Sequence, residues 1–141
     1  MYILRAEHSF DSAHFLAGYE GKCSNIHGHR WRVVVEVMEE RLKSGGQLDG
    51  MVVDFGDLKK DLKEIVDFHD HKLIIERETM KKSLVELLKD EGFKIMEVDF
   101  RPTAENFSKY FYDYMTKKGY KVKRIEVYET PTNCAIYEGD R

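Results

Sequence analysis

The stretch CSNIHGHRW, residues 23–31, carries the most structural and chemical information in the chain. His27 and His29 are two residues apart at the start of a predicted strand, and side chains at that spacing project from the same face of a sheet. They lie about 6–7 Å apart along the strand, a separation that one metal ion bridges with modest twisting. A single histidine near a strand end is usually a surface or hydrogen-bonded residue, so it is the pair that favours a metal site.

A third ligand is available in the segment HSFDSAHF, residues 8–15. His14 ends a predicted first strand, which we expect to pair antiparallel with the strand that carries His27. Three neutral imidazoles leave one position of a zinc ion open, which is typical of a catalytic site, although copper, iron and nickel also accept imidazole ligands. His8 falls on the same strand face as His14, so the pattern leaves open which of the two completes the set.

Cys23 lies four residues before His27 in a polar loop. A divalent cation nearby favours the thiolate form of a cysteine, which can then act as a base or a nucleophile. Two other interpretations stay open: a small residue in a loop, or a fourth metal ligand. A fourth protein ligand would make the site closed and structural.

The segment FHDHKL, residues 68–73, follows a predicted helix. Asp70 is adjacent to His71, and an aspartate that contacts a histidine fixes the tautomer of the ring, as in proton-relay sites. Adjacent residues rarely make that contact cleanly, and either histidine can instead complement the dipole at the helix C-terminus. His69 falls on the apolar side of the helix, which predicts a packing or capping role.

Glu129 follows Ile125 and Val127 at the period of two that defines one face of a strand. A carboxylate on an apolar face is uncommon unless it is paired. Such a carboxylate can accept two parallel hydrogen bonds from N–H groups on one edge of a heterocyclic ring, when that edge is arranged like guanidine. The alternative is a surface glutamate at the end of a strand.

Periodicity predicts strands where apolar and polar residues alternate, and helices where apolar residues recur three and four apart. Strands are predicted at about residues 1–11, 28–39, 93–100, 121–128 and 133–137, and helices at about 54–68, 80–91 and 104–118. Asp54 and Thr103 are the predicted N-caps of the first and third helices. No linker or internal repeat divides the chain, so we expect one domain over residues 1–141. Paired strands, then helices, then paired strands indicate an α+β domain with an antiparallel sheet.

The composition argues against several classes of protein. The chain of 141 residues is 42% hydrophobic and 35% charged, which is ordinary for a globular protein. Its formal net charge of -3 gives no electrostatic basis for binding nucleic acid directly. No apolar run approaches the roughly 20 residues that cross a bilayer, and the segment MYILRAEHSF has no apolar core of signal-peptide length. We therefore expect a cytoplasmic protein with no membrane partner.

Taken together, these segments resemble the 6-pyruvoyl-tetrahydropterin synthase superfamily. The matching segments, in the order of the family, are FDSAHFL (10–16), CSNIHGHRW (23–31), VVDFGDLK (52–59), DH (70–71), RPTAENF (101–107) and YETP (128–131). The resemblance implies the tunnelling fold, a four-stranded antiparallel sheet with helices packed on one face. In this fold the subunits form a barrel of trimers, usually as a hexamer, so a homo-oligomer is expected.

The resemblance also implies roles for individual residues. The implied cofactor is Zn2+, held by His14, His27 and His29. Cys23 matches the catalytic cysteine of the family, and His71 with Asp70 matches its proton-relay pair. Glu129 matches the carboxylate that grips the pterin ring.

The spacing of the cysteine distinguishes two branches of the family. Three residues separate the cysteine from HGH in the carboxy-forming enzymes and five in the pyruvoyl-forming ones; here residues 24–26 make three. The resemblance therefore implies a 6-carboxy-5,6,7,8-tetrahydropterin synthase, which converts 7,8-dihydroneopterin triphosphate to 6-carboxy-tetrahydropterin, acetaldehyde and triphosphate in queuosine biosynthesis. The alternatives are the lyase that forms 6-pyruvoyl-tetrahydropterin, a zinc- or pterin-binding module without turnover, and a structural oligomer.

The chain departs from the family pattern between its DH pair and its PTAEN helix. Residues 72–101 contain an extra amphipathic helix at about 79–91. Its apolar side comprises Met80, Leu84, Leu87 and Leu88. We expect a surface helix, peripheral to the site, whose apolar side is buried on the sheet or on a neighbouring subunit.

Overall fold

The computed structural model describes residues 1–140, which form six strands, three α-helices and one short 3-10 turn. In chain order they are β1 (Tyr2–His14), the 3-10 turn (Lys22–Ser24), β2 (His27–Glu39), α1 (Phe55–Asp67), β3 (Lys72–Glu76), α2 (Lys82–Asp90), β4 (Ile95–Val98), α3 (Ala104–Lys117), β5 (Val122–Thr130) and β6 (Asn133–Tyr137). None of these helices is long and apolar enough to cross a membrane.

The strands form one mixed sheet in the order β4-β3-β1-β2-β5-β6. The predicted four-stranded antiparallel sheet is present as its β1-β2-β5-β6 part, in which each neighbouring pair is antiparallel. The expectation that this is the whole sheet is wrong, because β3 runs parallel to β1 and β4 runs parallel to β3. The sequence does not reveal β3 because its residues follow His71 directly, without the glycine or proline that usually marks a strand boundary.

The core lies between one face of the sheet and the helices α1 and α3. Its largest side chains are Trp31 and Phe10 from the sheet and Phe107 and Phe111 from α3, all at most 1% exposed. Both predicted N-caps are confirmed: the side chain of Asp54 accepts from the backbone N–H of Gly56, and that of Thr103 accepts from the N–H of Asn106. The capped start of α3 places the loop before it over one end of β1.

Helix α2 is shorter than predicted, and its apolar side is not buried on the sheet. It covers Lys82–Asp90, and its one buried residue is Val85. Leu84 and Leu87 are 44% and 62% exposed on the single chain, so burial of this side on a neighbouring subunit, the other expected location, stays a prediction. Periodicity identifies the residues that share a helix face, but it does not say which face is covered. This helix only connects β3 to β4, the crossover that a parallel pair requires.

The sheet face opposite the core carries a network of ion pairs in place of a second helical layer. Arg5 bonds to Glu36 and Glu126, and Arg124 contacts the same two carboxylates. The side chains of Glu36 and Glu126 are only 7% and 3% exposed because the two guanidinium groups cover them. This face is therefore polar but electrically balanced.

Candidate active site

Three histidines converge where β1 and β2 meet at the end of the core. The pairing of these strands places His14 directly opposite His27 and Ser12 opposite His29. The Nε2 atoms of His14 and His27 are 3.0 Å apart, and the ring of His29 is about 5 Å from both of the others, at 5.1 and 4.9 Å between centroids. The same-face prediction for His27 and His29 is confirmed, and the histidine that joins them is His14.

Backbone carbonyls fix the orientation of two of these rings. His14 Nδ1 donates to the carbonyl of Pro102, and His27 Nδ1 donates to that of Asn25, each at 2.7 Å. A carbonyl oxygen only accepts, so both Nδ1 atoms carry a proton, and in the neutral form of the two rings both Nε2 atoms present lone pairs to each other. Two lone pairs 3.0 Å apart repel unless a cation satisfies them. Donation from the second ring nitrogen is the usual support for histidines that bind metal.

Glu129 completes the cluster from β5. Its Oε1 lies 2.9 Å from His29 Nε2 and 3.6 Å from His14 Nε2. The short contact lacks hydrogen-bond geometry, so the buried His29 Nε2 is left without a hydrogen-bond partner. Burial lowers the pKa of His29, which keeps its ring neutral, and the contact with His14 lowers the pKa of Glu129, which keeps its carboxylate ionised.

The donor set fits a transition-metal ion. One ligand atom from each of His14, His27, His29 and Glu129 lies within 4.8 Å of the others, and this is the one such cluster among residues 1–140. Imidazole nitrogens with a carboxylate oxygen are ligands that zinc accepts. The alternative histidine, His8, lies outside the cluster, because its Nε2 bonds to Asp67 at 2.7 Å.

Cys23 lies in the 3-10 turn that leads into β2 and is partly exposed. Its carbonyl accepts from the N–H of Leu16 at 2.8 Å, which holds the turn against the end of β1. Within residues 1–140 the metal-binding cluster contains no cysteine.

The side chains of Asp70 and His71 are hydrogen-bonded to each other, a contact that residues adjacent in sequence seldom make. We call this pair the dyad. His71 Nδ1 donates to Asp70 Oδ2 at 2.7 Å, and Asp70 Oδ1 accepts from the N–H of Asp11 at 2.8 Å. Those two bonds, with the backbone one first, lower the pKa of Asp70, so the group is a carboxylate at neutral pH. His71 has φ 56°, and its side chain is 79% exposed, so Nε2 is free to exchange protons.

Two surface depressions meet beside the cluster. One of about 490 Å³ is lined by His71, His29 and Arg30, and the other, of about 430 Å³, by His29, Arg30 and Glu129. The shared wall brings His29, His71 and Glu129 to one continuous surface. The membership of Glu129 in the histidine cluster is not predictable from its own strand, since it depends on how β5 is aligned with β2.

His69 has the packing role that its position on the helix predicts. It is fully buried, donates from Nδ1 to the carbonyl of Ile65 at 2.7 Å, and packs against the ring of Tyr110. Burial lowers its pKa, so the folded protein holds this ring neutral. His69 therefore belongs to the core and not to the candidate site.

Burial of His69 predicts a loss of stability in mild acid. The unfolded chain binds a proton at His69 near pH 6.5 while the folded chain does not, so the free energy of unfolding falls as the pH drops below about 6.5. One such group contributes at most about 1.4 kcal/mol per pH unit. We expect His69→Gln, which cannot titrate, to lose less free energy of unfolding than wild type between about pH 7.5 and 5.5 in urea denaturation with a chelator. Equal losses would assign the pH dependence to other groups.

The sequence is similar to known proteins over almost the whole chain. Residues 3–140 match the family model described as 6-pyruvoyl tetrahydropterin synthase. A relative from Haemophilus influenzae, named 6-carboxy-5,6,7,8-tetrahydropterin synthase, is 35% identical, and the match covers 98% of this chain and 99% of the relative. A protein of the same name from Synechocystis sp. is 32% identical over 100% of this chain and 96% of its own. A match of this extent leaves no room for an unmatched segment as long as residues 72–101.

Solved structures share the fold. An uncharacterized protein from Wolinella succinogenes superposes with a TM-score of 0.78 at 21% identity, covering 99% of this chain and 98% of that one. The 6-pyruvoyl tetrahydropterin synthase of Caenorhabditis elegans superposes with a TM-score of 0.66 at 24% identity, with the same coverage. At these identities the likeness concerns the fold alone.

Proposed function

Because this chain belongs to the 6-pyruvoyl tetrahydropterin synthase family, whose members are lyases, we propose that it is a zinc-dependent 6-carboxy-5,6,7,8-tetrahydropterin synthase. The substrates would be 7,8-dihydroneopterin triphosphate and one water, and the products 6-carboxy-tetrahydropterin, acetaldehyde and triphosphate. The observation that carries this choice of branch is the spacing of three residues between Cys23 and His27, together with relatives of that name.

The residues that would hold the zinc ion are His14, His27 and His29. Their support is the pair of bare Nε2 lone pairs at 3.0 Å and the buried, unpartnered Nε2 of His29. A zinc ion bound to the substrate side chain would act as a Lewis acid toward the negative charge that follows proton removal. The carbonyls of Pro102 and Asn25 keep the two rings in the tautomer that this role requires.

Cys23 and the Asp70–His71 dyad are the proposed proton-transfer groups. Cys23 would move protons at the C6 side chain of the pterin, and His71 would serve the opposite face. The dyad suits this work because Asp70 fixes Nδ1 as the protonated nitrogen of His71, which leaves the exposed Nε2 to accept a proton.

Glu129 is the proposed anchor of the pterin ring. The aminopyrimidine edge of a pterin presents parallel N–H groups, which a carboxylate binds in pairs. Glu129 is ionised, is partly exposed and lines one of the two depressions, so it can reach a ligand there. Binding through this carboxylate supplies orientation rather than chemistry.

The protein is proposed to act as a homo-oligomer, a trimer or a hexamer. β3 pairs with only the last three residues of β1, so residues 2–10 have a free edge, and β6 is the edge strand on the other side. Both edges expose apolar side chains: Tyr2 and Ile3 on β1, and Ile136 on β6. Free edges of this kind pair readily with another chain. We also propose that the protein is cytoplasmic and catalyses an early step toward queuosine. It would not contact nucleic acid directly.

A second candidate function is the formation of 6-pyruvoyl-tetrahydropterin. It is favoured by the description of the matching family model. The two reactions start from the same substrate, but only the first releases the outer carbons of the side chain as acetaldehyde.

The test is mass spectrometry of the products formed from 7,8-dihydroneopterin triphosphate by zinc-loaded protein. We expect 6-carboxy-tetrahydropterin with an equal amount of acetaldehyde. A 6-pyruvoyl product without acetaldehyde would support the second candidate. Zinc binding without any turnover would contradict both and would indicate a binding module.

A further inference from the structure

Three hydrogen bonds connect two residues of β1 to the segment that carries the dyad. The N–H of Asp11 donates to Asp70 Oδ1 at 2.8 Å, and the N–H of His71 donates to the carbonyl of Asp11 at 2.7 Å. The hydroxyl of Ser12 donates to the carbonyl of Lys72 at 2.7 Å. Asp11 contributes only backbone atoms to this set, whereas Ser12 contributes its side chain.

This connection is made where the backbone is held in an unfavourable conformation. His71 has φ 56°, in the left-handed region that residues other than glycine rarely adopt. Such a conformation persists only when its surroundings determine it. The bond to Asp11 holds the peptide group that precedes His71, and the bond from Ser12 holds the peptide group between Lys72 and Leu73, one residue beyond it.

Ser12 is placed to link the dyad with the histidine cluster. Its side chain lies on the same face of β1 as His14, and its strand partner across the sheet is His29. Ser12 is only 6% exposed, and its hydroxyl donates to the carbonyl of Lys72 at 2.7 Å, with a longer contact of 3.4 Å to the carbonyl of Ala13. The shorter bond orients the hydroxyl toward Lys72, and the hydroxyl in turn holds that carbonyl.

We propose that Ser12 is a positioning residue, whose hydroxyl holds the Lys72 carbonyl and thereby fixes the Asp70–His71 dyad relative to the strand that carries His14. In this proposal Ser12 acts through the backbone of residues 70–72. The catalytic part of this inference rests on the proposed function of the dyad. The structural part, a fixed orientation of the His71 ring, is independent of it.

The test compares Ser12→Ala with Ser108→Ala. Ser108 is also buried, and its hydroxyl donates to a backbone carbonyl, that of Glu105, at 2.6 Å, but it lies within α3. We expect Ser12→Ala to lower kcat about 10-fold with unchanged KM and zinc content, as for other residues that orient a catalytic group. Ser108→Ala should keep kcat, and Ser12→Thr, which retains a hydroxyl on a branched residue suited to a strand, should recover most of it.

A second measurement separates this inference from the proposed function. In NMR spectra of the histidine rings, Ser12→Ala should shift and broaden the His71 signal, whereas Ser108→Ala should leave it in place. If wild type has no activity on the pterin triphosphate, the proposed function fails while the NMR comparison still decides the role of Ser12. A His71 signal unchanged in Ser12→Ala, or a kcat reduced equally in Ser108→Ala, would overturn the inference.

Discussion

Replacing His27 with alanine is expected to remove bound zinc and activity together. His27 supplies one of the two Nε2 atoms that face each other at 3.0 Å, and its ring is already oriented by the carbonyl of Asn25. Loss of a residue that merely orients a ligand costs about 10–100-fold in metal affinity or activity, so loss of the ligand itself should cost at least that much. The measurement is the zinc content per chain after dialysis against a chelator, paired with the rate of product formation.

His14→Ala and His29→Ala should behave in the same way, and His8→Ala is the matched control. His8 lies on the same face of β1 as His14, but it is bonded to Asp67 and lies outside the cluster. We expect His8→Ala to keep its zinc. Full zinc content in His14→Ala with loss in His8→Ala would transfer the third ligand to His8 and contradict the proposed site.

The elements that sequence periodicity predicts well are those whose signals are local. In β2 the apolar residues Trp31, Val33, Val35 and Val37 recur two apart, as alternate residues also do in β1, and the caps Asp54 and Thr103 mark the starts of α1 and α3. Each signal depends on a few neighbouring residues, so no tertiary contact is needed to recognise it. The same holds for His27 and His29, which share a face because they are two residues apart.

The features that could not be predicted depend on how distant segments meet. β3 begins directly after His71, whose left-handed backbone makes the turn. A glycine at this position would have indicated a turn in the sequence, but a histidine does not. Leu84 and Leu87 of α2 share a helix face that is exposed on the single chain, and periodicity alone does not say whether the sheet or another subunit covers such a face. Glu129 joins the histidines only because β5 pairs with β2 in the observed register, so that Tyr128 lies opposite Arg32. Strand register is a property of the pair, so a single segment does not contain it.

Replacing Cys23 with alanine is expected to abolish turnover while leaving zinc in place. The thiol lies in the turn that leads into β2, outside the cluster formed by the three histidines and Glu129. If it transfers a proton at the substrate side chain, its removal should lower kcat by about 10²–10⁴-fold, the contribution typical of such groups. Zinc content per chain and binding of the pterin triphosphate, measured by calorimetry, should match those of wild type.

The control for this prediction is Ser24→Ala, a change in the same turn. The hydroxyl of Ser24 donates to the carbonyl of Gly21 at 2.8 Å, so its loss loosens the turn without removing the thiol. A large fall in kcat for Cys23→Ala with a small one for Ser24→Ala would therefore assign the effect to the sulfur and not to the shape of the turn. If Cys23→Ala instead loses its metal, the thiol is a ligand, the zinc site is closed, and the proposed roles of Cys23 and of the open coordination position are both wrong.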